Sequence, residues 1–105
     1  MSQTIITPDG RFEWDEDKSA SNKKKHGLSF EEILTIFDDP YMLEVYDENH
    51  SSDEERINGL GLLKGIVVLF TCYTERKERT RIFSARKATS KEEEAYYEHI
   101  TGTYA

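Results

Sequence analysis

Cysteine is nearly absent: Cys72 is the one copy among 105 residues, so no disulfide can form within the chain. No CxxC and no His/Cys cluster has the spacing that tetrahedral zinc requires, and a reducing compartment, the cytoplasm, is the expected location. Long apolar runs are missing too. The longest, Ile66 to Phe70, falls far short of the roughly 20 residues of a membrane helix, and the stretch from Met1 to Pro8 has neither a basic region nor a sustained apolar segment. No membrane or export role is expected. Positive charge is scarce overall: 14 Lys and Arg stand against 21 Asp and Glu, for a net charge of −7. A protein that binds polyanions through a bulk basic field is thereby excluded.

What remains is enough for one small domain. The chain has 36% hydrophobic and 33% charged residues, polar for a globular protein but with several apolar segments to bury. No repeat or low-complexity linker divides it, so residues 11–100 are expected to form one domain, with a flexible segment at 1–10 and a tail at 101–105. The charge is unevenly spread. From Lys64 to Lys87 seven basic residues face only Glu75 and Glu78, a local balance of +5.

Alternation in Arg11-Phe12-Glu13-Trp14-Asp15 predicts a short strand, and Asp15 is placed to cap a helix running from Glu16 to His26 and stopped by Gly27. That helix has little to bury, since Ala20 is its only apolar residue. Ser29 with Glu32 forms a capping-box pattern, and Phe30, Ile33, Leu34 and Phe37 fall at helical spacing, so a second helix is expected until Asp38-Asp39-Pro40 ends it. Four strand-like segments follow: Tyr41 to Asp47, Glu54 to Gly61, Gly65 to Thr74 and Thr80 to Lys87. Their short connections predict an antiparallel meander with the wholly apolar Ile66–Phe70 at its centre. Ser90 with Glu93 suggests a second capping box and a final helix to about Ile100. The fold class is α+β, an antiparallel β-sheet packed by two or three helices.

Several residues have the chemistry to act on a phosphodiester, and each also has a structural explanation. Arg86 and Lys87 end a strand just before a helix N-terminus, where cations and free N–H groups can converge on an anion or simply pair with Glu92 or Glu93. Glu75 and Arg76 adjoin a hairpin, where an acid and a cation can accept a proton and clamp a phosphate, or merely keep a turn wet. Alternation puts Arg79 and Arg81 on one face of their strand and Ser84 and Arg86 on the other, so one substrate is expected to meet only the Arg86 face. His26 and Lys25 close a basic helix end that complements the helix dipole, and imidazole also titrates near neutrality. Tyr73 can stack a base or lie buried in its strand.

In order and spacing, one set of segments resembles the BrnT family of type II toxins. They are Phe12-Glu13-Trp14-Asp15, Asn22 with Lys25-His26-Gly27, Ser29-Phe30 with Phe37 and Asp39-Pro40, His50-Ser51 with Glu54-Glu55-Arg56, Gly59, Thr74-Glu75-Arg76, Arg81-Ile82, and Ser84-Ala85-Arg86-Lys87-Ala88. The resemblance runs from about Arg11 to Tyr97. It implies a compact RelE-like ribonuclease domain, a BrnA-like ribbon-helix-helix antitoxin, RNA as substrate, contact with operator DNA only through the antitoxin, and no cofactor or metal. Related ribonucleases use the ribose 2′-OH to attack the neighbouring phosphate. On that mechanism Arg76 and Arg86 are the expected phosphate clamps, Lys25 and Lys87 supporting cations, Tyr73 a substrate contact, and His26 or Glu75 the proton-transfer groups. The antitoxin is expected to occlude the RNA site by covering either the acidic surface around Asp38-Asp39 and Asp47-Glu48 or the basic face around Arg76 and Arg86. Two other readings stay open: a catalytically silent antitoxin-binding partner acting in operon autoregulation, and an unrelated small-ligand module.

Overall fold

A computed structural model describes residues 2–47 and 55–104. Six strands form one sheet: β1 (Thr4–Ile6), β2 (Phe12–Asp15), β3 (Leu43–Asp47), β4 (Arg56–Leu63), β5 (Val67–Arg76) and β6 (Arg79–Lys87), in the order β1-β2-β6-β5-β4-β3. The meander β3 to β6 is antiparallel as expected, but β2 joins β6 in parallel, so the sheet is mixed. Alternation cannot report this, because it gives the buried face of a strand and not the direction of its neighbour. Nor did it mark β1: residues 1–10 were expected to be flexible, yet Thr4–Ile6 pairs antiparallel with Asp15–Glu13. The proposed strand start at Glu54, and the resemblance positions His50 and Ser51, lie outside the described residues.

Helix α1 (Glu16–His26) begins and ends where the sequence predicts. The Asp15 carboxylate accepts from the N–H groups of Asp17 and Lys18 at 2.9 and 3.1 Å, and Gly27 closes the helix at φ 75°. Its buried residues are polar, Ser19 and Asn22. Hydrogen bonds hold α1 in place: Ser19 Oγ accepts from Phe30 N at 2.9 Å, while Asn22 bonds the main chain of Leu28 and Ala85.

The next helix is a 3₁₀ helix (Glu31–Asp38). Its capping box is present, with Glu32 N donating to Ser29 Oγ and Ser29 N to a Glu32 carboxylate oxygen, both at 3.2 Å. Three residues per turn change which side chains are buried: Phe30, Ile33 and Ile36 are fully enclosed, while Leu34 and Phe37 are half-buried. These side chains pack with Phe12, Trp14, Leu69, Ile82 and Ala85 on one face of the sheet, the front face. Gly61 permits the close approach, since a Cβ there would lie 3.1 Å from Ile36 Cβ and 3.2 Å from its carbonyl oxygen.

Helix α2 (Ser90–Tyr104) covers one end of the back face, where Tyr96 packs with Leu60 and Val68. Its capping box falls one residue earlier than Ser90/Glu93: Thr89 N donates to Glu92 at 2.8 Å and Glu92 N to Thr89 Oγ1 at 3.2 Å. Asp39 ties α2 to the 3₁₀ helix by accepting from the Tyr96 hydroxyl at 2.5 Å and from the N–H groups of Tyr41 and Leu62, each at 2.9 Å. Burial, together with the hydrogen bond to Asp39, raises the Tyr96 phenol above its usual range. Ile66, expected in the central strand, occupies the preceding turn and is 82% exposed. Val68 and Leu69 are buried on opposite faces of the sheet, so β5 is covered on both sides there.

Candidate nucleic-acid interface

The back face beyond α2 is built by an irregularity in β6. Cys72 pairs with Ser84, but the next residue of β5, Tyr73, pairs with Ile82, so Phe83 is an extra residue in a bulge. A bulge resets the alternation. Arg81, opposite Thr74, and Arg79, opposite Arg76, therefore lie on the same face as Ser84 and Arg86. The expectation that the two arginine sets face apart is overturned, and Arg76, Arg79, Arg81 and Arg86 share one side of the sheet.

Each of these cations has a distinct environment. Arg81 forms a half-buried ion pair with Glu13 at 2.6 Å. Arg76, Lys77, Arg79 and Glu13 line a cleft of about 430 Å³ at the hairpin end. Among the described residues, Arg79 Nε–H is buried with no hydrogen-bond partner. Phe83, in the bulge, sits 4.3 Å from the Arg56 guanidinium carbon and 5.4 Å from Lys18 Nζ. Arg86 lies at the far end, 4.2 Å over the Phe70 ring, and donates to both carboxylate oxygens of Glu92 at 2.8 and 3.0 Å. The hydrogen bond to Glu92 raises the Arg86 pKa, and the same bond holds the Glu92 carboxyl below its ordinary range. The pairing with Glu92, one of the two readings open from the sequence, is thus present.

The expected site residues fall into two groups. Opposite Arg86 stands Phe70, six residues before Arg76 on β5; at 3.3 Å per residue the two arginine backbones are roughly 20 Å apart. They cannot grip one phosphate, although both can contact one extended strand of RNA. Lys87, opposite Leu69, faces the front of the sheet, whereas Arg86, opposite Phe70, faces the back. Helix α1 runs beside the open edge of β6 in the same direction: Lys18 is near Phe83 and Asn22 bonds Ala85, so the next turn carries His26 to the level of Lys87.

Glu75 and Tyr73 belong to the front face. Glu75 accepts from Thr80 Oγ1 at 3.3 Å, and the buried Tyr73 donates its hydroxyl to Glu44. Burial and the Glu44 carboxylate push the Tyr73 phenol above its usual range. Both residues line a groove of about 410 Å³ with Asp39, Glu44 and Glu78, where Arg11 is the single cation. A buried ring offers no face to a base, and Arg76, next in sequence to Glu75, points the other way.

Sequence reasoning missed the contributions of Phe83, Lys18 and Asn22 to this region, whereas Arg56 already stood in the matched segment Glu54-Glu55-Arg56. Asn22 stood within the matched segments, and its lone amide on a helix with almost no apolar face was the available signal. Among the described residues no group of three or more His, Cys, Asp or Glu is placed to hold a metal ion, and no helix is long and apolar enough to cross a membrane.

A compact mixed sheet with one helix alongside its edge, a 3₁₀ helix in front and a helix behind defines a small α+β protein with an arginine-bearing face. The family model for the BrnT ribonuclease toxin of type II toxin–antitoxin systems matches residues 14–92, and the chain belongs to that family. Its structure is similar to that of the ribonuclease toxin BrnT from Brucella abortus, with a TM-score of 0.50 and 22% identity over 73% of this chain and 94% of the other. No curated protein sequence matches the chain at a significant level. Membership of a type II system gives it an antitoxin as partner.

Proposed function

We propose that the chain cleaves RNA on the back face of its sheet without a metal ion, by attack of the ribose 2′-OH on the adjacent phosphate to leave a 2′,3′-cyclic phosphate and a 5′-OH. The observation that carries this reading is the bulge at Phe83, which sets Arg76, Arg79, Arg81 and Arg86 on one face. Such a row tracks a polyanion and supplies the charge stabilisation that the pentacovalent phosphate needs. Arg76 and Arg86 act at opposite ends of the bound strand, with Lys25 of α1, beside the open edge of β6, as a supporting cation; Lys87, whose side of β6 is the front face, is the weaker supporting cation. His26, on that same edge, is the proton-transfer group. Glu75 is the weaker candidate, because it lies on the opposite face in an acidic groove that repels phosphate. A BrnA-type ribbon-helix-helix antitoxin neutralises the toxin in the cytoplasm, and operator DNA is touched through the antitoxin alone.

The second reading, a catalytically silent antitoxin-binding partner acting in operon autoregulation, is favoured by one observation: Arg81 and Arg86 are already paired with Glu13 and Glu92. Purified protein incubated with RNA in excess chelator separates the two. Cleavage that persists in chelator and fails on a substrate with a 2′-deoxy cut site supports the nuclease mechanism. Folded protein that neither cuts RNA nor slows growth on induction refutes it in favour of the silent partner. Loss of activity with chelator, or undiminished cutting of the 2′-deoxy RNA, refutes the metal-independent 2′-OH chemistry.

A further inference from the structure

The sheet ends in two unequal edges. At one, β1 has only three residues; at the other, β3 has five, and among the described residues no strand pairs with its outer side. Exposed edges are commonly blunted by proline, lysine or a bulge. Leu43-Glu44-Val45-Tyr46-Asp47 contains neither residue, and its pairing with β4 is regular. Val45 and Tyr46 lie on opposite faces of the strand and are 58% and 60% exposed. The main-chain groups and both apolar side chains of this edge are thus available to an added strand.

Charge selects the occupant. Glu44 and Asp47 flank the apolar pair, and Glu44 also lines the 410 Å³ groove with Asp39, Glu75 and Glu78, whose floor includes Phe12 and Phe37. A second copy of this chain is disfavoured, because edge-to-edge pairing would bring together two molecules that each carry −7. A basic strand meets complementary potential instead. We propose that an extended, basic segment of the protein antitoxin adds a strand to the free edge of β3 and places a Lys or Arg side chain in the acid-rimmed groove beside it. The proposal rests on the reading of this chain as a toxin neutralised by a protein. It places that contact on the acidic side of the molecule, away from the arginine face.

The chemistry of the edge is tested with the full chain and three synthetic heptapeptides: alternating valine and arginine, alternating valine and glutamate, and the arginine peptide N-methylated at alternate amides. Amide shifts measured by NMR should map the arginine peptide to residues 43–47. The glutamate and N-methylated peptides should bind at least ten-fold more weakly, and the V45R/Y46R double variant should lose binding of the arginine peptide by a similar factor. That variant should keep the wild-type circular-dichroism spectrum and thermal unfolding, which tells loss of the edge apart from loss of the fold. Equal binding of the arginine and glutamate peptides, or shifts that map to Arg76–Arg81, would overturn the proposal, as would sedimentation showing a dimer that V45R/Y46R abolishes. None of these readouts depends on whether the chain is toxic, so failure of the toxin reading shows separately, as normal growth on induction.

Discussion

Replacing Asn22 with alanine should come close to unfolding the protein, although the residue is polar and lies on the most polar helix. Strand β2 pairs with β6 only as far as Trp14 opposite Ile82; beyond that point the edge of β6 has no strand beside it. Asn22 fills the gap as a peptide group would. Its Nδ2 donates to Ala85 O and Leu28 O, both at 2.8 Å, and its Oδ1 accepts from Ala85 N at 3.1 Å. Ala85 is buried, so truncation leaves its N–H and C=O, and the Leu28 carbonyl, without partners where water has little access. With about 1–3 kcal/mol for each of the three unsatisfied groups, the loss is about 3–9 kcal/mol, against a total stability of about 5–15 kcal/mol for a domain of this kind. At roughly 4–6 °C per kcal/mol, Tm should fall by at least about 12 °C. Circular dichroism melts and urea titrations at constant m-value measure it. Asn22→Asp should do no better, since it retains the acceptor but aims a carboxylate at two carbonyls. Ser19→Ala, which removes one bond to Phe30 N, should cost about 1–3 kcal/mol. A fall of less than about 4 °C for Asn22→Ala would refute the reasoning, showing that water or a shifted main chain satisfies these groups.

Gly61→Ala should destabilise the protein by about 1–3 kcal/mol, because the new Cβ meets the Ile36 side chain and carbonyl at 3.1 and 3.2 Å and the enclosed 3₁₀ helix has little room to retreat; urea denaturation measures this. Arg76→Ala should lower RNA cleavage by about 10²-fold, the usual effect of removing one donor to transition-state charge. Arg86→Ala should lower both cleavage and Tm, since its guanidinium also holds Glu92 and covers Phe70; wild-type cleavage by either folded variant would remove that arginine from the site. Acid should loosen the fold through Glu32 and Glu92. Lys23, at 2.6 Å, and Ser29 hold the Glu32 pKa down at about 2, and Arg86 depresses that of Glu92. Folded values below the unfolded ones mean stability that is complete above the ordinary glutamate value of 4.5 and lost as pH falls from there toward about 2. Glu32→Gln and Glu92→Gln should flatten that limb of the Tm–pH curve, and an unchanged limb would refute the assignment.

Local chemistry was legible wherever it decided the structure. Asp15 and Gly27 bound α1, Ser29 and Glu32 bound the next helix, and the turn residues separate the meander, because each signal acts within a few residues. Three features were not legible, each because a distant partner decides it. The 3₁₀ geometry of Glu31–Asp38 lets Phe30, Ile33 and Ile36 share a face against Gly61, and only the approach of β4 selects that set over the α-helical one. The parallel pairing of β2 depends on where the chain returns after four further strands. The capping box at Thr89 and Glu92 displaces the one at Ser90 and Glu93 because Arg86 fixes the Glu92 side chain. The bulge at Phe83 had the largest consequence for the site. A two-residue period applied through it assigns Arg79 and Arg81 to the wrong face, and no residue type in Ile82-Phe83-Ser84 signals the break.

The bulge also resolves the tension between a net charge of −7 and a polyanionic substrate. Residues 64–87 carry +5, leaving −12 on the rest of the chain. Had β6 alternated without interruption, its arginines would be divided between the two faces, and two of them would stand beside the acidic groove formed by Asp39, Glu44, Glu75 and Glu78. Their fields would then cancel over a few ångströms. With the bulge, Arg76, Arg79, Arg81 and Arg86 share the back face while Glu44, Glu75 and Glu78 line the front groove, so the sheet, about 10 Å thick with its side chains, stands between the arginine row and the acidic groove. At physiological ionic strength the Debye length is about 8 Å, so each face is largely screened from the other. The acidic total is therefore compatible with the RNA surface proposed behind the sheet. It acts in front, where it favours a basic partner, and the two ligands a toxin of this class must meet can be recognised by opposite sides of one small domain.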